Sequence, residues 1–377
     1  MKNVFFLLFV MCFTMCTSKP QGDNVISVDL DKPEKASLFD YFRSIELIPL
    51  ETTSDALIVG ITKMVIHQDN YYTFDPVQQI LFVYNKEGNF LYKIDKRGQG
   101  EGEYLSFWDF NISPYSGNLE ILNPYGKVHL YDLRGKYIET KKVTYPDFSV
   151  VHTIAAIDSQ IYVFGSDFAP EKIIYYNLDE GKLLHTEFEE DYDLGRFSFG
   201  AYQYQGEWFY FRPIHPVVYK MGKDSLETAF EFDFGKYATE GRTVTLSKES
   251  QRDFPRLVEE MFNQFGYMIH AVRHNDKYVF ASLTRDASNQ SKSNIIYDKE
   301  TGKAKYIADF DEDVWFNSYR GEAFIVTDEY ALMPCQWIDL EKRINKEMLS
   351  EEQQKLFDEL LQSDTELNPI LIKYWFK

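Results

Sequence analysis

Residues 97–104 read Arg-Gly-Gln-Gly-Glu-Gly-Glu-Tyr, with three glycines at alternate positions between an arginine and two glutamates. Glycines at this spacing can let backbone amides close around a phosphate. Such loops work by opening a helix whose N-terminal amides face the anion. Here the flanks are Phe-Leu-Tyr-Lys-Ile and Tyr-Leu-Ser-Phe-Trp-Asp-Phe-Asn-Ile, both strand-like, and no Gly-Lys-Ser/Thr follows. Glu101 and Glu103 would also repel a phosphate. The glycines suit a tight crossing of the chain beside other backbone. Arg97, Glu101 and Glu103 would then present charge at the point of crossing.

Other residue types offer little of the same kind of chemistry. The histidines are 67, 129, 152, 185, 215, 270 and 274. His270 and His274 are four apart, but on a strand that spacing is too long for one metal ion. Neither His-Glu-x-x-His nor Gly-x-Ser-x-Gly occurs, so neither a zinc-protease helix nor a serine-hydrolase elbow is supported. The acidic runs 189–191 and 311–313 read as solvated loops. Cys335 has no adjacent histidine or basic cluster to activate it and reads as a buried core thiol. Aromatic residues are more suggestive. Trp108, Tyr202, Tyr267, Trp315 and Tyr319, with Asp109, His152, His270, Arg273 and Arg320, are candidates to line a sugar- or peptide-binding mouth.

A repeat supplies the elements that would position these residues. Five segments consist of an apolar strand ending in Tyr, a polar turn and a second strand. Their marker residues are Tyr84, Tyr131, Tyr176, Tyr219 and Tyr297. Four of the turns carry Asn or Asp after the Tyr and Gly before the next strand, as hairpin turns require. The first three steps, of 47, 45 and 43 residues, are the length of a four-stranded propeller blade. Another strand pair precedes each hairpin. A sixth unit begins near residue 314, finds its third strand only at 368–377, and must take its fourth from the N-terminus, where 25–30 and 44–51 are both available. The reading is all-β: one six-bladed β-propeller over 24–377, its last blade closed by N- and C-terminal strands so that no edge stays open.

Two insertions interrupt the period. Residues 247–266 carry Pro255 at a first helical position and apolar residues at helical spacing. Residues 339–363 carry Ser350 and Gln353 as a capping box before an apolar stripe. Both insertions, and the glycine-rich loop, fall on connections that leave an up-and-down blade on the same face. That face is expected to carry both helices over the channel mouth, walling a pocket there.

The N-terminus gives an address. Lys2 precedes an apolar run, Val4 to Phe13, too short to span a bilayer, and the run ends at Cys16. Residues 1–16 read as a lipoprotein signal with Cys16 as the lipidated residue, and 17–23 as a tether. The net charge of −19 argues against nucleic acid and against membrane binding by a basic patch, leaving the lipid anchor as the membrane contact. Residues 82–112, followed one blade later by 119–137, resemble the six-bladed β-propeller lipoproteins of Bacteroidetes-type bacteria, relatives of NHL-repeat and TolB-like propellers. The resemblance implies the propeller and the cell envelope, with anchoring to the outer membrane, but no reaction.

The expected function is a monomeric binding or scaffold module without a cofactor, engaging a glycan, peptide or partner protein on the helix-decorated face. The alternative is a metal-assisted hydrolase or lyase of lactonase type. In that case Ca²⁺ would sit at the channel mouth on carboxylates, Asp109 first and Glu101 and Glu103 after it.

Overall fold

The computed structural model describes residues 24–144, 150–166, 171–189, 200–237, 254–285, 292–310, 324–363 and 366–377. Six small antiparallel sheets form six blades. Blade I holds strands Lys63–His67, Asn70–Asp75, Ile80–Asn85 and Phe90–Ile94. Blade II holds Asp109–Ile112, Leu119–Leu122, Lys127–Tyr131 and Tyr137–Lys142. Blade III holds Thr153–Ala156, Ile161–Gly165, Glu171–Asn177 and Lys182–Glu189. Blade IV holds Gly200–Tyr204, Glu207–Arg212, His215–Met221 and Leu226–Asp233. Blade V holds Met268–His274, Tyr278–Thr284, Lys292–Asp298 and Lys303–Phe310. Blade VI holds Ile325–Val326, Tyr330–Cys335, Ile370–Phe376 and, last, Phe42–Pro49. First strands of neighbouring blades approach one another, II against I and III, V against IV and VI, so they form the inner ring.

The residue pattern explains the layering. Middle strands such as Ile-Leu-Phe-Val-Tyr at 80–84 are buried on both faces, because each sheet is sandwiched between its neighbours. They therefore read as continuous apolar runs. Outer strands face water and read as polar, as in Tyr-Ile-Glu-Thr-Lys-Lys at 137–142. Apolar clusters fill the spaces between successive blades, I against II, II against III and so on.

The repeat signature has a structural cause. In blades I to IV the pairing of third and fourth strands shifts register at the marker Tyr. A bulge there bends the outer strand away and increases local twist. The Asn or Asp that follows caps the turn with its own side chain. Asn85 Oδ1 accepts from the amides of Glu87 and Asn89, and Asp132 Oδ1 from those of Arg134 and Lys136. Asn177 and Asp298 do the same in blades III and V. Gly88 and Gly135 take the left-handed backbone, with φ of 87° and 77°.

The ring closes as the strand count requires. Phe42–Pro49 pairs antiparallel with Ile370–Phe376 and completes blade VI. The other N-terminal segment has a different use. Val25–Ser27 adds in parallel to the outer strand of blade IV, and Glu34–Ala36 to that of blade V. The chain therefore runs round the outside as a strap before it enters the ring.

Helix α1 (Phe254–Phe265) buries Met261 and Phe265 in the cluster between blades IV and V. The second insertion is a string of short helical turns, including α2 (Leu340–Arg343) and α3 (Glu351–Leu361). Both insertions do leave on one face, but α3 does not cover the channel mouth as expected. It lies against the outermost strand of blade VI. Leu349 bridges Ile45, and Gln353 Oε1 accepts from the Leu47 amide at 2.7 Å. The capping box is accordingly half formed. The Ser350 side chain accepts from the Gln353 amide, but the Gln353 side chain is spent on the neighbouring strand. The segment shields an otherwise open edge.

Candidate functional site

The face that holds these insertions is built from connections after second and fourth strands, and its loops are pinned from below. The hydroxyl of Tyr131 donates to the Gly102 carbonyl at 2.7 Å, and that of Tyr176 accepts from the Thr144 amide at 3.0 Å. Two marker tyrosines thus hold the connection arriving from the preceding blade. In blade I the same task falls to buried Asn368. It accepts from the Ile58 amide at 2.8 Å, donates to the Glu51 carbonyl at 2.8 Å, and lies 3.3 Å from the Tyr84 hydroxyl.

Residues 97–104 are part of this bracing. The Gly98 amide donates to the Tyr104 carbonyl and the Tyr104 amide to the Lys96 carbonyl, at 3.0 and 2.9 Å. Glu103 turns back to accept from the Gly100 amide at 2.8 Å, and Arg97 pairs with Asp95 at 2.9 Å. Gly102 has a φ of 71°, and any Cβ there would meet the Tyr137 ring at 2.4 Å. The glycines serve a close crossing, and two of the three loop charges are engaged within the loop. Glu101 is exposed.

The loops carry an unusual load of apolar surface. Of the twelve large apolar side chains exposed among the described residues, Leu361 lies on α3 and seven lie on the loops themselves, from 42% exposed (Trp108) to 70% (Val77). Ile338 follows the second strand of blade VI. Leu57 and Val59 lie between blades VI and I, and Val77 follows the second strand of blade I. Leu105 and Trp108 lie between blades I and II, and Tyr125 follows the second strand of blade II. Hydrogen bonds tie these loops into one arc. Gln336 Nε2 donates to the Val59 carbonyl at 3.3 Å, and Val59 donates its amide to Asp75 at 2.7 Å. Gln78 Nε2 reaches the Leu57 carbonyl, Gln79 Oε1 accepts from the Phe107 amide, and Asn123 Nδ2 donates to the Ser106 carbonyl.

Most other candidate residues lie elsewhere. Asp109 is fully buried on the inner strand of blade II. One oxygen takes the Lys63 ammonium and the Phe110 amide, and the other takes the Ile154 amide at 2.8 Å. It clasps blades I, II and III together, with both oxygens engaged. Tyr202 and Arg273 are buried between blades IV and V. The guanidinium lies 4.9 Å from the Tyr202 ring centroid and donates to the Phe324 carbonyl at 2.8 Å. The Tyr202 hydroxyl is 2.7 Å from His274 Nδ1, and burial holds that imidazole down to about 4, hence neutral. Tyr267 is core, donating to the Ile214 carbonyl. His152 and His270 are partly buried against Thr153 and Thr284, at 3.2 and 2.6 Å. Trp315, Tyr319, Arg320 and Cys16 lie outside the described residues. Of the described members of the proposed set, only Trp108 and the 97–104 loop fall on the arc.

Residues 23–374 match the family described as a domain of unknown function, DUF4934. The chain belongs to this family. A structure of a Bacteroides fragilis protein described as exported is similar to it, with a TM-score of 0.70 at 15% identity, covering 94% of this chain and 99% of that one. A member of the DUF4221 family from Bacteroides vulgatus is similar at a TM-score of 0.50 and 10% identity, covering 89% and 98%. At such identities the likeness is one of fold. No curated protein matches the sequence.

In this DUF4934 propeller sequence reasoning missed Leu57, Val59, Val77, Leu105, Tyr125 and Ile338. Lone aliphatic residues in a strand-rich sequence read as core, and only the position of Val77 and Tyr125 inside turns hinted otherwise. Cys335 is buried as expected, and burial pushes its thiol up to about 12, so it is inert at neutral pH. The family chain also hides an acid. Glu120, fully buried on the second strand of blade II, accepts from the Tyr162 hydroxyl at 2.6 Å. Burial raises it from 4.5 to about 7, an effect that hydrogen bonds only partly offset. The folded state therefore holds this proton more tightly than the unfolded chain. Its contribution to stability is present below pH 4.5 and is lost as pH rises through 7. Glu120→Gln should melt like the parent at pH 5 and gain about 2–3 kcal/mol over it by pH 8. Urea titrations at the two pH values check this, and equal gains at both would refute it.

Proposed function

We propose that this chain is an exported binding module, held at the cell envelope by lipid on Cys16, that engages its ligand through the arc from Ile338 to Tyr125. The observation that carries this reading is the arc itself. Large apolar side chains cost free energy in water, and here seven of those exposed among the described residues gather on loops that hydrogen bonds tie to one another. These loops are also cross-braced, so the surface is prepared before any ligand arrives and little ordering entropy remains to be lost. The similarity to a Bacteroides fragilis protein described as exported agrees with the signal-like N-terminus. Among the described residues no helix is long and apolar enough to cross a membrane.

Asp109 bears on the hydrolase alternative. The carboxylate best placed for a metal has both oxygens committed to the protein. The proposal predicts that immobilised protein retains a component of envelope fractions. Replacing both Leu105 and Trp108 by alanine should abolish that retention and leave the melting temperature unchanged. Retention equal in the variant would end the proposal for this face. Cys16→Ser should shift the protein from the membrane to the soluble fraction; no shift would remove the anchor.

A further inference from the structure

The apolar arc has a chemical character that narrows its ligand, and the inference rests on the binding-module reading above. We infer that the arc docks a polypeptide: a basic protein segment that presents aliphatic side chains. It does not dock a glycan or a second copy of this chain.

Shape and chemistry argue first for polypeptide. A sugar is held by flat aromatic rings under its C–H faces and by polar groups converging on its hydroxyls. Five of the seven side chains here are aliphatic and stand on turns as separate knobs. The polar groups nearest to them face inward. Buried Asp75 takes the amides of Val59, Val77 and Gln78 at 2.7–3.0 Å, and also the Gln78 side-chain amide. Gln79 and Asn123 are likewise spent on backbone of neighbouring loops. The loops thus satisfy their own polar groups and offer carbon outward. That combination fits the apolar side chains of a protein partner, packed as in the centre of an interface.

Charge then selects among proteins. The chain carries −19 overall; beside the arc Glu101 is exposed, Glu51 accepts from the Phe90 amide and Asp55 lies 3.9 Å from Lys93, with Lys96 and Lys127 exposed at the ends of the same loops. Arg97 is already paired with Asp95. A second copy would bring the same sign to the same place and be repelled, whereas a Lys- or Arg-bearing segment would be attracted and oriented. The apolar knobs give affinity and the net negative charge of the chain gives the approach.

The test selects short random peptides on the full-length chain by display, with maltoheptaose as the carbohydrate probe. Enriched peptides should combine aliphatic residues with Lys or Arg, and their binding should weaken as salt is raised. Affinity should fall about tenfold or more on Val77→Asp and on Leu105→Asp, and stay unchanged on Leu184→Asp, which places the same change on an outer strand of blade III. Val77→Ser, checked by its melting curve, separates loss of contact from loss of fold. Peptides that bind both Asp variants as well as wild type overturn the inference, as does selection of acidic or purely polar peptides. So does a dimer in sedimentation that Val77→Asp dissociates. Maltoheptaose bound by wild type and lost in the arc variants would overturn the polypeptide assignment and leave the binding-module reading standing. Failure of both probes would remove the two together.

Discussion

A chain ending at Asn368 should show no cooperative unfolding transition. Strand Ile370–Phe376 is the third strand of blade VI, with Tyr330–Cys335 on one side and Phe42–Pro49 on the other. Ile370, Leu371, Ile372 and Tyr374 are buried almost completely, and Phe376 stacks on Phe42 with ring centroids 5.0 Å apart. Burying each such side chain contributes about 1.5–3 kcal/mol, so the strand's own residues account for as much as the whole net stability of a domain, roughly 5–15 kcal/mol. The loss does not stop there. Phe42–Pro49 has no other strand to pair with in the sheet, so the N-terminal half of the closure leaves with the C-terminal half. The milder Ile372→Ala should keep the fold and cost about 2–5 kcal/mol. Thermal melts followed by circular dichroism measure both. A truncated chain that melts near the parent's temperature would show that the ring does not depend on its last strand.

The second large effect is expected at Asp109. Replacing it by alanine leaves the Lys63 ammonium buried without its counter-charge and strips the Ile154 amide of its acceptor. Breaking a buried pair from one side costs about 3–5 kcal/mol, because the remaining charge is uncompensated. Lys63→Met should cost less, since the carboxylate keeps two amide donors, from Phe110 and Ile154. The double variant should fall between them, because no lone cation remains. Urea midpoints give the order directly. An Asp109→Ala loss no larger than that of Lys63→Met would mean that the clasp is not what holds the three inner strands.

Much of this architecture was legible because its causes are local. Asn85, Asp132, Asn177 and Asp298 cap their turns with side chains that reach two to four residues along the chain. Such motifs can be read without knowing the fold. The doubly buried middle strands announce themselves as unbroken apolar runs. What could not be read depends on distant partners. Gln353 belongs to a capping box by sequence, yet its side chain serves Leu47, 306 residues away. Asp109 looks like a channel-mouth ligand until Lys63 and Ile154 are seen on either side. The strand of blade VI drawn from the N-terminus was one of two equivalent choices by composition, and only pairing separates Phe42–Pro49 from Val25–Ser27. The candidate site was the least legible part. An exposed Val77 and a buried Val83 are the same letter, and only the surrounding structure assigns one to water.

The closure of blade VI also sets a timetable. Glu46 and Trp375 are hydrogen-bonded across 329 residues of sequence. A contact of that range forms only after the entropy of a very long loop has been surrendered, and folds dominated by such contacts assemble slowly. Blades I to III are each made of contiguous chain, so they can pair as soon as they emerge. Phe42–Pro49 must wait, with its apolar face unprotected, until the final residues arrive. During that interval the nascent molecule is an open arc with one unsatisfied strand at its leading end, the state in which it is most exposed to aggregation and most dependent on a chaperone.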